Sequence, residues 1–260
     1  MLKILKYSFY DLMRSRWSYV YFLFYLLLGV VLLFLNNDLS KAVITLMNVI
    51  IILVPLIGTI FGVMYYYNSR EFTELLLAQP VKRSSIFLGQ YFGVATSLSM
   101  SLVIGLGMPF VFYGIFNSNA IWDFSLLLVT GAFLTFIFTA LAFVIALSNE
   151  NRIKGFGYAI LLWLFMAVIY DGLFLMSLLY FEDYPLDKFS LVATMLNPVD
   201  LSRVLILLKL DISALLGYTG AVFQQFFGTS FGLILSFVML VFWVIIPTFF
   251  IWRIAKRKDF

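Results

Sequence analysis

AVITLMNVIIILVPLIGTIFGVMYYY, residues 42–67, contains no charged side chain and leads directly into NSREFTELLLAQPVKR, residues 68–83. A helix crossing a hydrocarbon core of about 30 Å needs about 20 mostly apolar residues, with every backbone group bonded inside the helix because lipid offers no partners. The first string meets that requirement, and the second is a polar connection. The alternation recurs along the chain. Five further apolar segments, at about Trp17 to Leu35, Tyr91 to Phe116, Phe124 to Leu147, Tyr158 to Phe181 and Gly228 to Trp252, complete a set of six. With 63% hydrophobic, 19% aromatic and 12% charged residues and a mean hydropathy of +1.05, a water-soluble globule is excluded. The fold class expected is an all-α polytopic membrane protein, a single transmembrane domain over residues 1–260 with no cleavable signal.

All 17 Lys and Arg lie outside the six segments, and 13 fall on alternate connections. Lys3, Lys6, Arg14 and Arg16 precede the first segment, and Arg70, Lys82 and Arg83 follow the second. Arg152 and Lys154 follow the fourth, while Arg253, Lys256, Arg257 and Lys258 close the chain. Lys41, Lys188, Arg203 and Lys209 remain for the other side. Because cationic loops are retained in the cytoplasm, both termini are expected there. The net charge of +4 is then a topology signal, with basic side chains anchored at lipid headgroups rather than on nucleic acid.

Neither cysteine nor histidine occurs. That removes disulfides, thiol chemistry, thiolate or imidazole metal sites and His-based acid/base catalysis. No catalytic, cofactor-binding or metal-ligating residue is therefore assigned. Met100, Met108, Met166 and Met176 offer thioethers to a soft ion, but at helical spacing in apolar segments they read as packing.

Residues 1–16 are expected to form an interfacial helix. At 100° per residue Leu2, Leu5, Phe9, Leu12 and Met13 share a face opposite Lys3, Lys6, Tyr10 and Arg14, with Arg16 and Trp17 at headgroup level. Residues 68–90 are more organised than a tether. Asn68 and Glu71 have capping-box spacing, and Glu71 and Glu74 suit the positive end of a helix whose apolar patch is Leu75, Leu76 and Leu77. Ala78, Gln79 and Pro80 stop it, Lys82 and Arg83 follow, and Ser84 or Ser85 starts the next helix. A leucine triplet there either fills a groove in another protein or lies on the bilayer surface.

Asp171 is the one Asp or Glu within the six segments and has no cation in any of them, which makes it a candidate functional residue. Residues 182–227 are expected to lie outside as a loop with external interfacial or re-entrant helices. Asn197 caps a helix with Pro198 in its first position, running to Leu208, while Lys209 and Asp211 stop it from crossing. Residues 212–227 are read as a short hairpin. No pair of broken spans of the kind found in ion-coupled transporters is expected.

Three strings carry a resemblance: Arg70-Glu71-Phe72-Thr73-Glu74-Leu75-Leu76-Leu77-Ala78-Gln79-Pro80-Val81-Lys82-Arg83, Tyr170-Asp171-Gly172-Leu173, and Leu196-Asn197-Pro198-Val199-Asp200-Leu201-Ser202-Arg203. With the N-terminal helix and six spans, the chain resembles permease subunits of the ABC-2 type of ATP-binding-cassette transporters. The last two strings resemble the branch serving copper-site maturation of nitrous oxide reductase. The resemblance implies a homodimer in a bacterial inner membrane, with ATP and magnesium on two cytoplasmic ABC ATPases gripping the coupling helix, Glu71 to Pro80 with Lys82 and Arg83. It further implies that Asn197, Pro198, Asp200 and Arg203 form an external gate or partner contact, and that copper is carried by a periplasmic copper-binding partner. Neither nucleic-acid binding nor an enzymatic role is expected, since the chain carries no Walker A sequence. The readings left open are an ABC-2 exporter of a lipid, glycan or peptide, a secondary transporter using Asp171 for proton coupling, and a membrane scaffold.

Overall fold

The computed structural model describes residues 1–36, 38–181, 186–209, 223, 225–226 and 229–257, and the described residues contain no strand. In chain order the helices are α1 (Leu2–Arg14), α2 (Arg16–Leu35), α3 (Leu39–Asn68), α4 (Arg70–Leu77), α5 (Arg83–Phe112) and α6 (Ile121–Ser148). Then come α7 (Arg152–Leu164), a π-helical turn (Phe165–Ile169), α8 (Tyr170–Tyr180), α9 (Asp187–Leu196), α10 (Pro198–Lys209) and α11 (Ser230–Arg257). Six units are long and apolar enough to cross a membrane: α2, α3, α5, α6, the continuous α7–α8 rod and α11. They coincide with the six expected spans apart from their ends.

The largest difference at an end concerns the third span, whose apolar segment from Tyr91 is the later part of a helix that starts at Arg83, beside the start expected at Ser84 or Ser85, and stops at Phe112, short of Phe116 in the 3₁₀ turn Ile115–Asn117. Its first two turns bury Ile86, Phe87, Gly89 and Gln90, so packing on protein, not hydropathy, holds them helical. Two capping expectations are corrected with it. Lys82 occupies the N-cap of α5 in place of a serine, and Asn68 belongs to α3, leaving Ser69 at the junction with α4 and no side-chain cap there.

α3 and α6 form the most extensive helix pair. The hydrophobic drive that joins helices in water is missing between helices in lipid, so close van der Waals approach must serve instead, and small residues permit it. A Cβ built on Gly62 would stand 2.7 Å from Ala142 Cβ, so this crossing is as close as glycine allows. α5 packs on α6, α2 on α5, α11 on α6 and α5, and α7 on α3. At the end carrying the basic connections, rings fill the space: Tyr66 lies 6.1 Å from Phe87 and 6.2 Å from Phe143. At the opposite end Phe110 stacks on Phe124 at 4.3 Å.

α1 lies across the start of α5 and buries Ile4, Ser8 and Leu12. The face expected to meet lipid stays at least partly open apart from Leu12, with Leu2 81% exposed. The protein-facing contact is set by Gly93, where a Cβ would stand 2.6 Å from Ser8 Cβ. A glycine on the partner draws the small residue of α1 inward.

The segment after α8 also differs from expectation. α9 and α10 are bent by 115° at Asn197, a single bent helix pair in the segment where interfacial or re-entrant helices were expected. α10 is not surface-bound, because Val199, Leu201, Ser202, Val204 and Leu205 are buried and it packs on α6, α3, α9 and α11. Its apolar residues are spread around the helix, which suits burial among helices better than an interface with one wet side. The hairpin expected at residues 212–227 lies almost wholly outside the described residues.

Candidate functional site

α4 is an elbow fastened from behind. Its inward residues are Phe72 and Thr73: Phe72 stacks on Tyr7 of α1 with centroids 4.4 Å apart, and Thr73 is buried. Gln90 Nε2 of α5 donates to Thr73 Oγ1 at 2.8 Å, and that hydroxyl donates to Ser69 O at 2.8 Å. A side-chain chain thus ties α5 to the α3–α4 junction. Around Pro80 the backbone turns tightly, with Gln79 N–H donating to Leu76 O at 3.2 Å and Val81 N–H to Gln79 O at 2.7 Å.

The outward surface carries the residues read from the sequence as a coupling patch. Glu71, Glu74, Leu75, Ala78, Gln79, Pro80, Lys82 and Arg83 are exposed, and Leu76 and Leu77 are half-buried. Leu75, at 68% exposure, is the apolar tip. Arg70 Nε pairs with Glu74 Oε1 at 3.0 Å on the surface, a pair contributing about 0.3–0.5 kcal/mol.

A second cluster lies where α8 meets the bend between α9 and α10. Arg203 Nη1 donates to Asp171 Oδ2 at 2.7 Å, so the cation missing from the six spans is supplied by α10. The same nitrogen is 3.5 Å from Asp200 Oδ1. Asn197 Nδ2 donates to Asp200 Oδ2 at 2.9 Å and to Met166 O at 2.8 Å, while its Oδ1 accepts from Val199 N–H at 3.0 Å. Met166 lies in the π turn, where widened backbone spacing alters the usual carbonyl pairing, and Asn197 supplies a donor there. Tyr170 OH donates to Ala193 O at 2.7 Å, and Trp243 Nε1 of α11 to Met195 O at 3.2 Å.

Sequence positions far apart thus meet at one point: the strings 170–173 and 196–203 are in direct contact. Asp171 and Arg203 keep 31% and 25% of their side-chain surface exposed, against 9% for Asp200. Asp200 sits in the first turn of α10, where the positive helix end favours a carboxylate. Asn197, Pro198 and Asp200 are inside the bundle, and the most accessible members of the cluster are Asp171 and Arg203. Two carboxylates around one guanidinium form an electrostatic clasp between span five and the bend. Among the described residues no group of three or more His, Cys, Asp or Glu is placed to hold a metal ion.

Comparison with known proteins gives two relatives. Over 212 residues, 75% of this chain and 76% of the relative, the chain is 23% identical to the "Probable ABC transporter permease protein NosY" of Stutzerimonas stutzeri. Over 224 residues, 78% of this chain and 80% of the relative, it is 24% identical to the protein of the same name from Pseudomonas aeruginosa. No protein-family profile matches the chain.

Proposed function

We propose that this chain is the membrane-spanning permease subunit of an ATP-driven ABC transporter, a homodimer whose two α4 elbows seat in clefts of two cytoplasmic ATPases. The observation that carries this reading is the outward leucine patch, Leu75 to Leu77, on a short helix whose opposite face is bound to α1 and α5. An elbow held this way passes a push at its tip to the starts of two helices rather than absorbing it. Similarity along three quarters of the chain to two proteins named as ABC permeases supports the same reading.

As the NosY-like form, the complex serves copper-site maturation of nitrous oxide reductase, with the copper on a periplasmic binding partner because the permease has no Cys or His to hold it. The clasp between Asp171 and Arg203 then links span five to the broken helix pair, so that movement of one carries the other. A proton-coupled secondary transporter using Asp171 is less well supported, since Asp171 is held in an ion pair with Arg203.

Co-purification tests the proposal. The wild-type chain is expected to retain an ABC ATPase, and the triple variant Leu75→Ala/Leu76→Ala/Leu77→Ala to retain at least about tenfold less, since truncating apolar anchors commonly costs about 2 kcal/mol or more. A chain that never retains an ATPase overturns the permease reading. Retention without any gain of copper-loaded nitrous oxide reductase, in cells lacking their own permease, assigns a different cargo: a lipid, glycan or peptide.

A further inference from the structure

At the end of the bundle that carries the basic connections, a cleft of about 730 Å³ opens between the α6–α7 turn and the last turns of α11. Its walls carry Lys154, Arg253 and Arg257 against one carboxylate, Glu150, with apolar surface from Leu147, Phe250 and Ile254. The three cations are exposed, and none takes part in an ion pair among the described residues. Neighbouring cations are already engaged: Lys256 Nζ sits 3.8 Å from the Trp252 ring centroid, and the Arg152 guanidinium lies 5.7 Å from that of Phe156.

We propose that this cleft binds the phosphodiester headgroup of an anionic membrane lipid, with Lys154, Arg253 and Arg257 as its cationic ligands and Phe250 and Ile254 against its acyl chains. Three features favour a lipid. The cleft lies at the ends of membrane-crossing helices, and the exposed Trp252, next to Arg253 in the chain, is the kind of residue that sits at headgroup level. The excess of cations suits one phosphate, as basic pockets between spans do elsewhere. Leu147, Phe250 and Ile254 line the cleft beside the cations, and a free phosphate would have no use for them. The inference requires only that these helices span a membrane, and it stands apart from the ABC reading.

Native mass spectrometry of the full chain released from vesicles of mixed phosphatidylglycerol and phosphatidylcholine tests it. Wild type is expected to retain phosphatidylglycerol preferentially. Lys154→Gln, Arg253→Gln and Arg257→Gln should each lower retention about fivefold, the worth of one cation near an anionic surface. Arg253→Lys/Arg257→Lys, which keeps the charge, should hold most of it. Equal retention of the two lipids by wild type overturns the proposal without reference to any variant. So does competition by millimolar inorganic phosphate, which would mark a soluble anion site. Loss of ATPase co-purification in the Gln variants with no lipid preference in wild type reassigns the cleft to a protein contact and also overturns it.

Discussion

Arg203 holds together groups that would otherwise repel. Its Nη1 lies 2.7 Å from Asp171 and 3.5 Å from Asp200, so the three residues carry alternating charge in partly dry surroundings. Removing one partner of a fully buried pair costs about 3–5 kcal/mol; Asp171 and Arg203 are partly exposed, so the expected cost is lower. Arg203→Gln leaves two carboxylates facing each other and should destabilise by about 2 kcal/mol, whereas Asp171→Asn leaves Arg203 still near Asp200 and should cost about 1 kcal/mol. Unfolding midpoints in detergent measure both, and Asp171→Asn/Arg203→Gln should cost less than the two singles summed, because they share one interaction. Strict additivity would show that the clasp contributes nothing. Asp171 stands out in the sequence as a charge in an apolar run. Its partner does not, being 32 residues on, beyond a connection whose path hydropathy leaves undetermined.

At the level of elements, α1 has two contact faces, of which the sequence shows one. The apolar face with Leu2, Leu5 and Phe9 stays at least partly open, as a face meeting lipid must, while Ile4, Ser8 and Leu12 are buried on the protein, because glycine spacing on α5 decides where α1 can come close. Gly93→Val should therefore clash with Ser8 and the α1 backbone, which stand within 3.0 Å of its Cβ position, and cost about 1–3 kcal/mol. Gly107→Ala, with nothing within 4 Å of its Cβ position, should leave stability level or raise it by up to about 1 kcal/mol. Denaturation of the two variants compares them directly. A tolerated Gly93→Val would mean that α1 does not rest on α5. The same logic reaches the elbow. Gln90→Leu removes the donor to Thr73 and should cost about 1 kcal/mol while speeding amide exchange in α4. The six spans are legible because apolar length is a local property. The burial of α10 is not, since it is set by neighbours distant in sequence.

For the whole molecule, the spans differ in how much of themselves they hide: 61% of the most apolar window of α5 is buried, against 22% for α11 and 11% for the α7–α8 rod. α3, α5 and α6 make the centre, and the last two spans are peripheral, with faces free for lipid or a second copy of the chain. The elbow, α1, the α6–α7 turn and the end of α11 share one end of this body, so one experiment fixes the side on which all of them lie. The chain contains no cysteine, and single cysteines at Gln79, Asn151 or Lys256 report one end, while Asn119→Cys reports the other. The cationic connections predict that an impermeant maleimide labels Asn119→Cys in intact cells and reaches the other three only after the membrane is opened. Labelling of Gln79→Cys from outside would put the leucine patch beyond reach of any cytoplasmic ATPase and end the permease proposal, even with all six spans intact. Gln79→Cys and Lys256→Cys on opposite faces would be a different failure. It would require an odd number of crossings between them, and the α9–α10 pair, bent by 115°, would then have to complete a seventh span rather than return to the side it came from.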